Sequence, residues 1–177
     1  MYLALKRISR LGALGEQLAE ECLTTAGFEH IENLNRRMNN YPFADILAMR
    51  NGVRYFIGVK TRNEFQADGK INPSYNAVLI RADKKRLLES EGKTEAQITA
   101  LLWTEVQELA DQWKAVPAWT TVATQPLKAI YSAYFGLVST LGNRRSIPMK
   151  IEDRRGYEIL AKHKAEPRIT KDLHNSM

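Results

Sequence analysis

The sequence predicts an α/β (α+β) fold: one mixed central sheet flanked by helices, formed by a single domain over residues 1–177. Three observations predict it. An amphipathic helical run opens the chain, two alternating runs joined by Asn51-Gly52 follow, and a long helix then separates these from later β-rich segments.

The elements follow in order. From Leu11 to about Ala26, the residues Leu11, Leu14, Leu18, Cys22 and Leu23 recur at helical spacing, and Gly27 supplies the stop. "FEHIENLNRRMN" reads as a short strand running into a polar loop. Residues 43–49 and 53–61 read as two strands, and Asn-Gly between them is the strongest short signal for a hairpin. In the second strand Val53, Tyr55, Ile57, Val59 and Thr61 share one face, while Arg54, Phe56, Gly58, Lys60 and Arg62 share the other. Residues 63–76, rich in Asn, Gly and Pro, read as a loop beside the strand ends.

"RADKKRLLESEG" starts a helix capped near Asp83. A longer amphipathic helix runs from Thr94 to Trp113 in a register that buries Ile98, Leu101, Leu102, Val106 and Leu109. "WTTVAT" and "AIYSAYFGLVS" read as strands, "DRRGYEILAKHK" as a C-terminal helix, and a tail from about residue 168 to 177 as frayed. The aromatic set Trp103, Trp113, Trp119, Tyr131, Tyr134 and Phe135 is expected to pack in the core.

Composition narrows the function classes. The chain of 177 residues is 44% hydrophobic and 26% charged, ordinary for a soluble globular domain. Its one cysteine excludes an internal disulfide and a cysteine-rich zinc site, so a reducing cytoplasm is the expected location. The apolar runs are too short to span a bilayer, and "MYLALKRISR" reverses the charge order of a secretory signal. A net charge of +6, with basic clusters such as Arg36-Arg37 and "KKR", suits a polyanionic partner. The histidines His30, His163 and His174 show no metal-ligand spacing.

The chemistry-bearing residues lie in the first third. A helix carries Glu16 near its start, "FADILA" places Asp45 at an apolar strand, and "IGVKTR" places Lys60 on that strand's hairpin partner. In this order and context the segment of about 11–63 resembles the PD-(D/E)XK, or restriction-endonuclease-like, nuclease superfamily. Its nearest likeness is to small Holliday-junction-resolvase-like and predicted endonucleases. The resemblance implies a restriction-endonuclease-like sheet and hydrolysis of DNA phosphodiester bonds, on branched or modified DNA among the substrates.

It also implies Mg²⁺ or Mn²⁺ as cofactor. Asp45 would be the central ligand, the Val59 backbone carbonyl and Glu16 further ligands, and Lys60 the group stabilising the attacking hydroxide or the developing phosphorane charge. Arg36, Arg37 and Arg62 flank this stretch and are the expected DNA contacts, and a homodimer is compatible with the reading. Gly58 departs from the pattern, which has a carboxylate two residues before the lysine. Glu16 or Glu64 would have to supply the missing acid. The alternative is a catalytically degenerate nuclease-fold protein that binds nucleic acid or a protein. A Gly58→Glu substitution is expected to be tolerated and to restore a carboxylate beside Asp45.

Overall fold

A computed structural model describes residues 2–38, 41–66, 68–72, 74–76, 82–125, 130–141, 146–148 and 157–164. The chain begins with α1 (Tyr2–Thr25), β1 (Glu29–Asn33) and a 3-10 turn at Leu34–Arg36, followed by β2 (Ile46–Arg50) and β3 (Val53–Asn63). Next come β4 (Ser74–Asn76), α2 (Ala82–Ser90), α3 (Glu95–Gln112), β5 (Val116–Gln125) and β6 (Ile130–Leu137). A second 3-10 turn at Val138–Leu141, β7 (Ser146–Pro148) and β8 (Glu158–Lys164) complete the described elements.

Among the described residues, six strands form one mixed sheet in the order β1-β2-β3-β5-β6-β8, and β4 pairs with β7 in a small separate ladder. β3 and β5 are parallel; the other neighbours in the large sheet are antiparallel. Parallel neighbours need a long crossover, and α2 and α3 lie within it. β5 sits in the middle of the sheet, and its residues from Pro117 to Thr124 are all buried, as expected for a strand covered on both faces.

The β2–β3 hairpin turns where the sequence predicts. Asn51 and Gly52 have φ of 53° and 75°, the left-handed pair that matches the twist of the flanking strands. Register pairs Ile46 with Ile57 and Leu47 with Phe56, and the two faces of β3 separate as alternation requires. Ile57 and Val59 join the α1-side core with Leu14, Leu18 and Leu23. Phe56 joins Leu47, Phe43 and Ala110 on the opposite side.

α1 approaches β3 closely because residue 15 has no side chain. A Cβ on Gly15 would lie 1.5 Å from Thr61 Oγ1, inside any possible contact. Only glycine admits this approach, and it brings the next residue, Glu16, to the end of the hairpin. Cys22, on the buried face of the same helix, is 2% exposed, and burial pushes its thiol up to about 11. It therefore packs as a small neutral group.

The expected helix from Thr94 to Trp113 is present, with Thr94 as N-cap in a capping box with Gln97 and Trp113 as C-cap. Its buried stripe is Ile98, Leu102, Val106 and Ala110, each one turn beyond the last. Leu101, expected inside, is 42% exposed because it lies off that stripe, and Leu109 is only partly buried. The predicted loop over 63–76 contains β4 and a Phe65–Ile71 bridge.

The expected C-terminal helix is a correction: residues 158–164 form a strand paired with β6 from Phe135–Glu158 to Ile130–Lys164. β6 otherwise presents an open edge of N–H and C=O groups, and satisfying that edge overrides a weak local helical preference. Arg50 adds a cross-sheet link. Its guanidinium stacks 4.2 Å from the Phe28 ring and donates to both Glu158 carboxylate oxygens at 2.9 and 2.7 Å. The tail from about 168 lies outside the described residues.

The Gly15–Thr61 contact yields a stability test. Gly15→Ala should lower unfolding stability by about 1–3 kcal/mol in urea titrations. Thr61→Gly in the same chain should recover part of that loss; a Gly15→Ala protein as stable as the parent would contradict the close approach.

Candidate functional site

β2 begins at Ile46 and β3 continues well past its partner, so the upper half of β3 outruns the hairpin. Asp45 fills the gap. Its backbone N–H donates to the Ile57 carbonyl at 2.9 Å, and its carboxylate Oδ2 accepts from the Val59 N–H at 2.6 Å. A side chain thus continues the ladder where the backbone of β2 has stopped. N–H and C=O of one strand residue face the same way, so the Val59 carbonyl faces the side where Asp45 sits.

The other carboxylate oxygen leads to the helix. Asp45 Oδ1 accepts from Asn35 Nδ2 at 3.0 Å, and the same Nδ2 donates to Glu16 Oε1 at 3.0 Å. The two acids, from α1 and from the start of β2, therefore lie no more than two hydrogen-bond lengths apart. Glu16 Oε2 accepts from Asn33 Nδ2 at 3.0 Å, which also donates to Glu20 at 2.9 Å, and Glu20 forms an ion pair with Arg36 at 3.2 Å. Asn33 Oδ1 accepts from the Asn35 N–H and caps the 3-10 turn, while Asn35 Oδ1 accepts from the Tyr41 N–H at 3.1 Å. Backbone donors thus hold both amides with their nitrogens toward the acids.

The expected site residues fall as follows. Glu16, Asp45 and the Val59 backbone meet at the end of the hairpin. Lys60 is the next residue, half-buried, on the face of Phe56 and Gly58 that points away from α1; among the described residues no ion pair joins it to either acid. Arg36 is exposed and linked to the acids through Glu20. Arg37 turns toward the β1 edge, paired with Glu32 and 5.8 Å from the Trp113 ring centre. Arg62 is exposed, two residues beyond Lys60 on the same face. Glu64 does not join the acids: its carboxylate accepts from Gln125, on the β5 side. Asn33, Asn35 and Glu20 escape a reading by motif; the only signal is "NLN" after a short strand, a pair of turn-forming residues.

Gly58 brings a correction. A Cβ there would lie 2.8 Å from the Phe43 backbone oxygen, with the Phe43 ring at 3.5 Å. Phe43 has φ of 64° and is the centre of a three-residue turn closed by Ala44 N–H to Pro42 O at 2.8 Å. This left-handed turn folds the chain back over β3. Gly58 lies outside the left-handed region, yet space is lacking, so Gly58→Glu is not the tolerated change expected from the strand pattern.

Among the described residues, no three His, Cys, Asp or Glu side chains gather as a metal-binding group. The two carboxylates that lie together, and the Val59 carbonyl that strand geometry turns to the same side, are all oxygen donors. That set excludes a zinc site of the usual nitrogen and sulfur kind and fits one hard divalent cation, for which one or two carboxylates suffice beside water and phosphate. No protein-family model, curated protein or solved structure matches the chain.

The Phe43 contact yields its own test. Gly58→Ala should cost about 1–3 kcal/mol of stability by urea unfolding, with Gly58→Glu at least as costly. Equal stability of the Gly58→Ala and parent proteins would mean that the turn yields freely.

Proposed function

We propose that the chain is a restriction-endonuclease-like protein that hydrolyses DNA phosphodiester bonds with a divalent cation. The observation that carries this reading is the single Asn35 amide shared by Glu16 and Asp45, directly beside the Val59–Lys60 stretch. Asp45, Glu16 and the Val59 carbonyl are the groups that would hold Mg²⁺ or Mn²⁺. When bound, the ion supplies Lewis acidity toward the scissile phosphate and acidifies a water. Lys60 follows Val59 directly and, among the described residues, carries no ion pair; its ammonium would be the group that stabilises the negative charge developing on phosphorus oxygens. The hydrogen bond from the Val59 N–H fixes Asp45 before substrate arrives, which limits its reorganisation in the reaction.

One observation favours a second reading, a nuclease fold that binds nucleic acid without cutting it. The Phe43 carbonyl lies 2.8 Å from where a Cβ at position 58 would sit, so the site has two acids where the pattern that it resembles brings three. Mn²⁺ calorimetry and cleavage of plasmid and branched DNA separate the two. In the first reading the natural protein binds Mn²⁺ and cuts, Asp45→Asn abolishes both, and Lys60→Ala abolishes cutting while sparing the metal. Cation binding without cutting supports the second reading, and the absence of both sinks the first.

DNA as partner is tested independently of turnover. Neutralised phosphates release counterions, so affinity should fall about 40-fold between 50 and 200 mM salt for three phosphate contacts. Charge reversal at Arg36, Arg37 or Arg62 should weaken binding more than charge reversal at a basic residue remote from the acids, such as Lys114. Affinity that is indifferent to salt would remove nucleic acid as the partner.

A further inference from the structure

The place between Glu16 and Asp45 is filled by a nitrogen. Asn35 Nδ2 donates to both carboxylates at 3.0 Å, so in the free protein two partial positive hydrogens offset the repulsion between two anions. A divalent cation entering there would meet that nitrogen, which has no lone pair to give and whose hydrogens the ion repels. The same side chain carries an oxygen of the kind such ions accept, now held by the Tyr41 N–H at 3.1 Å. A half-turn of the amide about its Cβ–Cγ bond exchanges the two.

We propose that Asn35 is a third side-chain ligand of the cation, its amide turning over so that Oδ1 faces the ion. The proposal rests on the metal-dependent reading above and deepens it. Asn35 is suited to the turn because it is only half-buried, and a single backbone donor holds its oxygen. Asn33 is not: it is 8% exposed, its oxygen caps the 3-10 turn, and its nitrogen serves Glu16 and Glu20 together. The turn has a consequence of unusual sign. Tyr41 N–H loses its acceptor and faces the amide nitrogen, a donor against a donor. Cation binding, which slows exchange wherever it stabilises the fold, should release this one amide.

Hydrogen exchange of the ¹⁵N-labelled natural protein, with and without saturating Mg²⁺, reads the turn directly. The Tyr41 amide should exchange several-fold faster with Mg²⁺, while the Val59 amide, held by Asp45, should not. In Mn²⁺ calorimetry Asn35→Ala, checked for folding by circular dichroism, should bind about 10-fold or more weakly, and Asn35→Asp should keep or raise the affinity. Slower or unchanged exchange at Tyr41, with Mn²⁺ binding that Asp45→Asn abolishes, overturns the proposal and leaves the metal reading standing. An Asn35→Ala protein of unchanged affinity does the same. If the natural protein binds neither ion, the metal reading falls and this proposal falls with it.

Discussion

The hydrogen bond from the Val59 N–H to the Asp45 carboxylate is the constraint around which this end of the molecule is arranged. β3 outlasts β2, and an N–H exposed by that mismatch must find an acceptor. Because a side chain provides it, the backbone before Ile46 is free to leave the sheet. It does so through the strained turn at Phe43, which folds over β3 and leaves room only for hydrogen at position 58. The same carboxylate then has one oxygen left for Asn35, and through Asn35 for the helix. Strand-length mismatch, turn, glycine and acid pair are therefore linked by one arrangement.

The helix reaches that point because of its own glycine. Gly15 lets α1 lie against Thr61, and Glu16 follows it toward the polar network, while Leu14 and Leu18 enter the core. A small residue and an acid side by side thus serve packing and the polar network in one turn of helix. On the far face the aromatic residues Phe43, Phe56 and Trp103 pack edge to face or tilted, which supports the loop carrying Phe43.

The parts legible in the sequence are those governed by local rules. Asn51-Gly52 specified its turn, alternation sorted the faces of β3, and the apolar spacing from Thr94 to Trp113 located α3. Asp45 is readable as a candidate because it is a lone carboxylate in an apolar run, and Glu16 because its helix precedes the hairpin in the order of the family that the segment resembles. What could not be read depends on neighbours distant in sequence. Residues 158–164 become a strand only because β6 offers an edge, and Gly58 is obligatory only because Phe43 lies over it. Asn35 is an ordinary polar residue until α1 and β2 arrive on either side of it.

The Arg50–Glu158 pair spans 108 residues of sequence and joins the second strand to the last described one. A chain emerging from the ribosome delivers α1 and the hairpin early, along with the acids and the amide that binds them. Arg50 rests on Phe28, and the carboxylate that it binds in the folded chain arrives only when residue 158 has been made. The nascent sheet consequently carries its acid pair before it carries the Arg50–Glu158 link, and the last described strand both covers the β6 edge and meets the guanidinium. Truncation within the last described strand would therefore remove the carboxylate that holds Arg50, and its effect would be felt at β2, far from the break itself.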